Sequence, residues 1–223
     1  MTTPLSNFPP VTKNLVIINA ITWVAMFVLS RVGWDLTYLL GLHYFPTDSF
    51  KLWQPFTYMF MHDASGFSHI FFNMFALVMF GPSLERVWGA KKFLFYYLFT
   101  GVGAGIVQQA VWYLSLTSYS EYSILLSTGY LDQFITVGAS GAIFGILLAF
   151  GMLFPNVPMY IMFIPIPIKA KYMMIGYGLI ELFAGIHPGA GDNVAHFAHL
   201  GGMLFGLILI LIWRKKHGKE VYY

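Results

Sequence analysis

Six apolar segments, roughly residues 15–32, 69–87, 93–114, 138–154, 171–186 and 194–213, restrict this chain more than any other feature. Several are close to the lower length limit for crossing about 30 Å of hydrocarbon. Between them there is little charge: 9% of the residues are charged and 58% are hydrophobic, whereas a soluble domain carries about 25% charged residues. The expected fold is all-α: a polytopic bundle of six transmembrane helices, forming a single domain over residues 1–223. The fourth segment stops at Pro155 and the fifth follows "IPIPIKAK". The stretch 115–135 is polar and too long for a tight turn. No internal repeat is evident, which weakens a transporter reading. The chain has no cysteine, so disulfides and thiolate metal sites are excluded. The start, "MTTPLSNFPPVTKN", lacks the basic stretch, apolar core and small-residue site of a cleavable signal. The basic excess comes mostly from "RKKHGK", which abuts an apolar helix, so no nucleic-acid partner is expected.

Charge sets the direction. With the N-terminus inside, the inner segments hold Lys13, Arg86, Lys91, Lys92, Lys169, Lys171, Arg214, Lys215, Lys216 and Lys219, and the outer ones only Arg31 and Lys51. That positive-inside bias predicts that both termini are cytoplasmic. Spans two, four and six then all start on the outer side. His69 and Asn73, Ser140, and His196 and His199 fall within about two turns of those starts, at one shallow depth given a rise of about 1.5 Å per residue. Polar groups there are costly in lipid unless they face each other or water.

Ser140 opens its helix, where unpaired N–H groups and the positive dipole end would stabilise an oxyanion. Its hydroxyl is a weak nucleophile until a base takes the proton, so a histidine must come within hydrogen-bond reach. Gly141 and Gly145 on span four, with Ala198, Gly202 and Gly206 on span six, form small-residue faces that let helices approach closely in lipid. A lone serine in a membrane helix is more often a packing residue. The convergence of three distant segments at one depth favours chemistry instead.

These residues carry a family resemblance. "GASG" (138–141), "HIFFN" (69–73) and "AHLGGMLFG" (198–206) resemble GxSG, HxxxN and AHxxGxxxG of the rhomboid family, intramembrane serine proteases of six-helix core. Each motif alone is weak, but the three in order on correctly directed spans are specific. The resemblance, to the bacterial type, implies that Ser140 is the nucleophile and His199 the base of a Ser–His dyad. It implies oxyanion stabilisation by His69, Asn73 and the Ser140 backbone N–H. It further implies transmembrane protein substrates, no cofactor or metal, and a bacterial cell (inner) membrane with the site opening outward; the oligomeric state stays open. Taking His199 rather than His196 as the motif histidine puts Gly202 and Gly206 in register. His196 then becomes a cavity residue one turn away, as do Gly138 and Gly141. Phe144 stands where an aromatic ring stacks under the histidine. Gln54 takes a loop position where arginine is common, and His62 fits a structural loop histidine. Glu85 and Arg86 are read as a structural acidic–basic pair. Lateral access is expected near span five.

Other readings fare worse. "GAGD" (189–192) matches the GxGD of aspartyl proteases, but that chemistry needs a second facing carboxylate, and Asp192 with Asn193 is better read as a helix cap. A zinc protease would need something like H-E-x-x-H, and no glutamate lies between His196 and His199. No acid is expected to complete a triad. Glu181, the acid of span five, is expected to pair with a neighbouring helix or to face water near the cytoplasmic half, without a catalytic role. The main alternative is an inactive rhomboid-like protein that binds membrane clients.

Overall fold

Residues 8–64, 66–160, 166–189 and 194–217 are described in the computed structural model. Helix α1 (Pro10–Ser30) leads through the short α2 (Leu36–Leu40), β1 (Leu42–His43) and α3 (Gln54–Thr57) to α4 (Phe67–Trp88) and α5 (Ala90–Leu116). After α6 (Tyr122–Ser127) and β2 (Ile135–Thr136) comes α7 (Ser140–Leu153). A hairpin of β3 (Pro158–Tyr160) and β4 (Pro167–Lys169) then precedes α8 (Ala170–Ile186) and α9 (His196–His217). The six helices of 14 residues or more overlie the six apolar segments. Four of them, α1, α4, α5 and α9, are long and apolar enough to cross a membrane by length and composition. Helices suit lipid because they satisfy their backbone hydrogen bonds internally.

The short α7 is the hub. Nine of its 14 residues are buried, among them Gly141, Ile146 and Phe150. Helices α4, α5, α8 and α9 all pack against it. At about 1.5 Å per residue it spans only about 21 Å, so its first residue sits below the level at which its neighbours end. The bundle's outside is apolar instead of polar: Ile21, Phe71, Phe183 and Leu211 are all exposed. That inverts the usual soluble pattern and marks the chain as an integral membrane protein.

Small residues set the spacing, but in a wider arrangement than two facing stripes. A Cβ on Gly202 would overlap the carbonyl of Gly141, so α7 and α9 cross backbone to backbone. Gly145 and Gly206 instead face α5, against Thr100 and the Tyr96 hydroxyl. Tyr96 also donates to the Gly145 carbonyl at 2.8 Å. The third partner, α5, was not evident from the glycine spacing.

In the last turn of α4 the structure is fastened to the start of α1 by Glu85, which is buried. Its carboxylate accepts from Val11 N (2.8 Å), Thr12 N (2.7 Å) and Thr12 Oγ1 (2.7 Å), capping the start of α1 and complementing its dipole. At the serine end, residues 36–60 and 115–136 form a cap. Leu42 pairs with Thr136 and His43 with Ile135. Gln54, also buried, accepts from Lys51 N at 3.0 Å and donates to Ser49 O at 3.1 Å. Tyr44, Leu116 and Leu131 form a small second core beneath. The polar stretch 115–135 is thus folded against the first loop.

Candidate active site

The starts of α4, α7 and α9 meet at one end of the bundle. Ser140 is the first residue of α7, and His199 lies in the first turn of α9. Their side chains meet, with Ser140 Oγ 2.8 Å from His199 Nε2. The imidazole of His199 is stacked on Phe144, with centroids 4.2 Å apart and planes 6° from parallel. His196, one turn earlier, makes no such approach to the serine; its ring centre is 6.3 Å from that of His199.

Backbone geometry prepares the serine. Gly138 has φ +135°, a region that side-chain-bearing residues rarely enter. Its N–H donates to Tyr58 O at 3.0 Å, and the Tyr58 hydroxyl donates to Gly101 O at 2.6 Å. Tyr58 therefore ties the turn before Ser140 to α5, a role that no sequence pattern announced. A Cβ on Gly138 would lie 3.2 Å from His69 Nε2 and 3.4 Å from Ser140 Oγ, in the space a substrate carbonyl oxygen would need.

His69 faces this space with a defined tautomer. Its Nδ1 accepts from Asp63 N–H at 3.3 Å, so the neutral ring carries its proton on Nε2, the nitrogen aimed at the Gly138–Ser140 turn. Asn73 lines the same cavity but donates through Nδ2 to His69 O at 2.8 Å, within its own helix. His62 is fully buried, edge-on to His69 with centroids 5.2 Å apart, and neither of its ring nitrogens has a partner among the described residues. Burial, reinforced by the neighbouring His69, pushes its pKa from 6.5 down to about 4.

A cavity of about 670 Å³ joins these groups; Ser68, Phe72, Val137 and Leu147 are also in its wall. A few convergent polar groups in a mostly apolar wall are the usual makeup of a ligand pocket. A second, apolar cavity of about 340 Å³ shares Phe72, Ala76, Phe144 and Leu147 with it and continues between α4 and α8.

Glu181 pairs with a neighbouring helix, α9, which is the first of the two placements expected for it. Its Oε2 is 2.8 Å from His199 Nδ1 and 2.7 Å from His196 Nδ1. Depth counting could have found it: Glu181 is five residues from the end of α8, which is level with the first turn of α9. Ligand atoms of Glu181, His196 and His199 lie within 4.8 Å of one another, a donor set of the kind zinc uses. Both Nδ1 atoms sit at hydrogen-bond distance from a single oxygen, so the arrangement stands as a hydrogen-bonded one. Asp192 and Asn193 lie outside the described residues.

As arranged, the groups can activate a hydroxyl and receive a negatively charged oxygen beside it. The Rhomboid domain family profile matches residues 49–216. Over 171 residues the chain is 30% identical to RHOMBOID-like protein 6, mitochondrial, of Arabidopsis thaliana, covering 75% of this chain and 46% of that protein. It is 30% identical over 172 residues to Rhomboid protease AarA of Providencia stuartii, covering 72% of this chain and 56% of that one. The Putative rhomboid protease YdcA of Bacillus subtilis (strain 168) is 28% identical over 214 residues, 93% of this chain and 90% of that one. The chain thus spans about half the length of the first two relatives and most of the third.

Proposed function

The chain belongs to the rhomboid family, and from that premise we propose that it is an intramembrane serine protease. It hydrolyses peptide bonds in or near transmembrane segments of other membrane proteins, using Ser140 as nucleophile and His199 as base. The observation that carries this reading is the 2.8 Å contact between Ser140 Oγ and His199 Nε2, which joins residues 59 positions apart at two helix starts.

The steps follow from the geometry. Ser140 Oγ bonds to the scissile carbonyl carbon as its proton passes to His199 Nε2. The carbonyl oxygen becomes an oxyanion and is met by the Ser140 backbone N–H and the His69 Nε2–H, with Asn73 alongside. Collapse of this intermediate expels the amine, which takes the proton from His199 and leaves an acyl-enzyme. Water, deprotonated by His199, then attacks the acyl carbon, and the serine is released with its proton restored. The shortness of α7 supports water access, because it leaves Ser140 in the wall of a cavity where His69, Asn73 and His199 converge. The adjoining apolar cavity between α4 and α8 supports substrate access from the side, next to span five.

The charge asymmetry supports cytoplasmic termini and a site opening to the outer face, and the likeness to the Providencia stuartii and Bacillus subtilis proteins supports residence in a bacterial cell membrane. The whole range of 1–223 is read as a single membrane domain. Labelling of the purified protein by a fluorophosphonate probe, with Ser140→Ala as control, tests the reading. Expected is labelling of the wild type alone, together with cleavage of a reporter transmembrane substrate. A folded wild type that neither labels nor cleaves would leave the client-binding alternative in its place.

A further inference from the structure

The structure brings a second polar group to the base. We propose that Glu181 is a positioning residue for His199, so that the site works as a Ser140–His199–Glu181 triad with His196 as a second donor to the same carboxylate. This inference rests on the reading of Ser140 as nucleophile and His199 as base.

The argument starts from what each group can donate. An ionised carboxylate only accepts hydrogen bonds. Glu181 Oε2 lies 2.8 Å from His199 Nδ1, so Nδ1 must carry the proton there. In a neutral imidazole the other nitrogen, Nε2, is then a bare acceptor. That is the nitrogen 2.8 Å from Ser140 Oγ, and the serine hydroxyl donates to it. The opposite tautomer would point an N–H at the serine and could not take its proton. Glu181 therefore selects the one tautomer that can act as a base.

Three contacts fix the ring: Ser140 at Nε2, Glu181 at Nδ1 and the Phe144 face beneath. Glu181 is itself held, because His196 Nδ1 donates to the same oxygen at 2.7 Å. When the serine proton moves to Nε2, the resulting imidazolium keeps its Nδ1 proton and faces a negative charge, and no proton passes to Glu181. The pair of histidines at i, i+3 also gains a purpose: one meets the serine and the other steadies the acid.

The competing view is that Glu181 merely fastens α8 to α9. That view has some force, since of α8 only Ala170, Met173 and Met174 are buried. The two roles differ in what they make measurable. A fastener affects stability and substrate binding together. A tautomer-selecting acid affects the protonated nitrogen of one ring and the chemical step.

The test uses the full chain in detergent micelles and in liposomes, with Glu181→Gln, Glu181→Asp and Ser140→Ala. In the wild type, nitrogen-15 NMR of labelled histidine should show His199 protonated at Nδ1 and bare at Nε2. In Glu181→Gln that preference should be lost. Turnover of a reporter transmembrane substrate should fall by about 10²–10⁴-fold in kcat with KM within threefold, since the corresponding change in a Ser–His–Asp site costs about 10⁴. Glu181→Asp should recover at least tenfold of the loss. An unchanged tautomer in Glu181→Gln, or kcat within threefold of wild type, overturns the proposal. So does a loss of activity that follows a lowered melting temperature while the tautomer stays intact. Should Glu181→Gln fail to fold, the histidine spectrum of the wild type decides: a His199 ring protonated at Nε2 and bare at Nδ1 overturns the proposal, and the reverse supports it. A wild type that is folded but inactive removes the protease reading, and the histidine spectrum still decides what Glu181 does.

Discussion

The two ends of the bundle each hold a glutamate, buried at one end and half-buried at the other, and they use it differently. At the end where α1 begins, both oxygens of Glu85 are taken by the first turn of that helix, through two backbone N–H groups and one hydroxyl. At the serine end, a single oxygen of Glu181 serves two histidine rings, one of which, His199, lines a cavity. The first arrangement joins segments more than 70 positions apart and leaves no titratable partner. The second leaves side chains whose protons can move. Residue type is therefore a poor guide to role. What an acid touches, backbone or ionisable ring, separates a fastening from a site.

The sharpest test of this contrast lies at the serine end. His199→Ala should lower kcat/KM by about 10⁴-fold or more and abolish probe labelling, with the melting temperature nearly unchanged. Activity in His199→Ala alongside a dead, folded His196→Ala would move the base by one turn and break the site as drawn. Next in size is Gly138→Ala, which adds a methyl 3.2 Å from His69 Nε2 on a backbone of φ +135°. Filling the oxyanion space should cost about 10²–10³-fold in kcat, comparable to losing one oxyanion donor. Near-normal turnover would place the oxyanion elsewhere.

The opposite end should respond in stability and not in chemistry. Glu85→Ala leaves three donors without their acceptor, at about 1–3 kcal/mol for each group that water cannot reach. A destabilisation of about 4 kcal/mol is expected by reversible unfolding in mixed micelles, with kcat per folded molecule unchanged. A variant that is stable but inactive would erase the distinction between the two ends.

Acid should act at the serine end through His62. Its pKa is about 4 in the folded protein against an ordinary 6.5, so between these values the unfolded chain binds the proton and the folded one does not. Stability should fall as pH drops from about 6.5 to 4, by up to about 3 kcal/mol. His62→Leu should flatten that part of the melting-temperature profile, and an unaltered slope would assign the effect to another group. The smallest effect is that of His196→Ala, which removes one donor to Glu181 while keeping the other. A roughly tenfold loss of kcat, equivalent to about 1.4 kcal/mol, is expected. A complete loss would make His196 part of the reacting set.

Much of this arrangement could be read from the chain because two regular rules apply to it. A fixed rise per residue placed Ser140, His69 and His199 at one depth, and glycine spacing distinguished His199 from its neighbour. For Glu181 the sequence left two placements open, a partner on a neighbouring helix or water, and spacing alone did not say which rings it would meet. The cap over residues 36–60 and 115–136 follows no such rule. It depends on single long-range pairings, such as Gln109 Nε2 donating to His43 O at 2.6 Å and Gly138 N to Tyr58 O at 3.0 Å, and these leave no periodicity to detect. Nor does a carboxylate that caps a helix 73 residues upstream.

The backbone contact between Gly141 and Gly202 also bears on how such a protein can diversify. Gly141 adjoins Ser140, and Gly202 lies three residues beyond His199, so main-chain atoms in touch set the span between hydroxyl and imidazole. No lipid-facing side chain enters that measurement. Exposed residues such as Phe71, Ile180 and Leu211 can therefore drift with the thickness and composition of the host bilayer while the reacting distance is inherited unchanged. Selection on the membrane and selection on the chemistry act on separate sets of positions, and a lineage can move between membranes without redesigning its site.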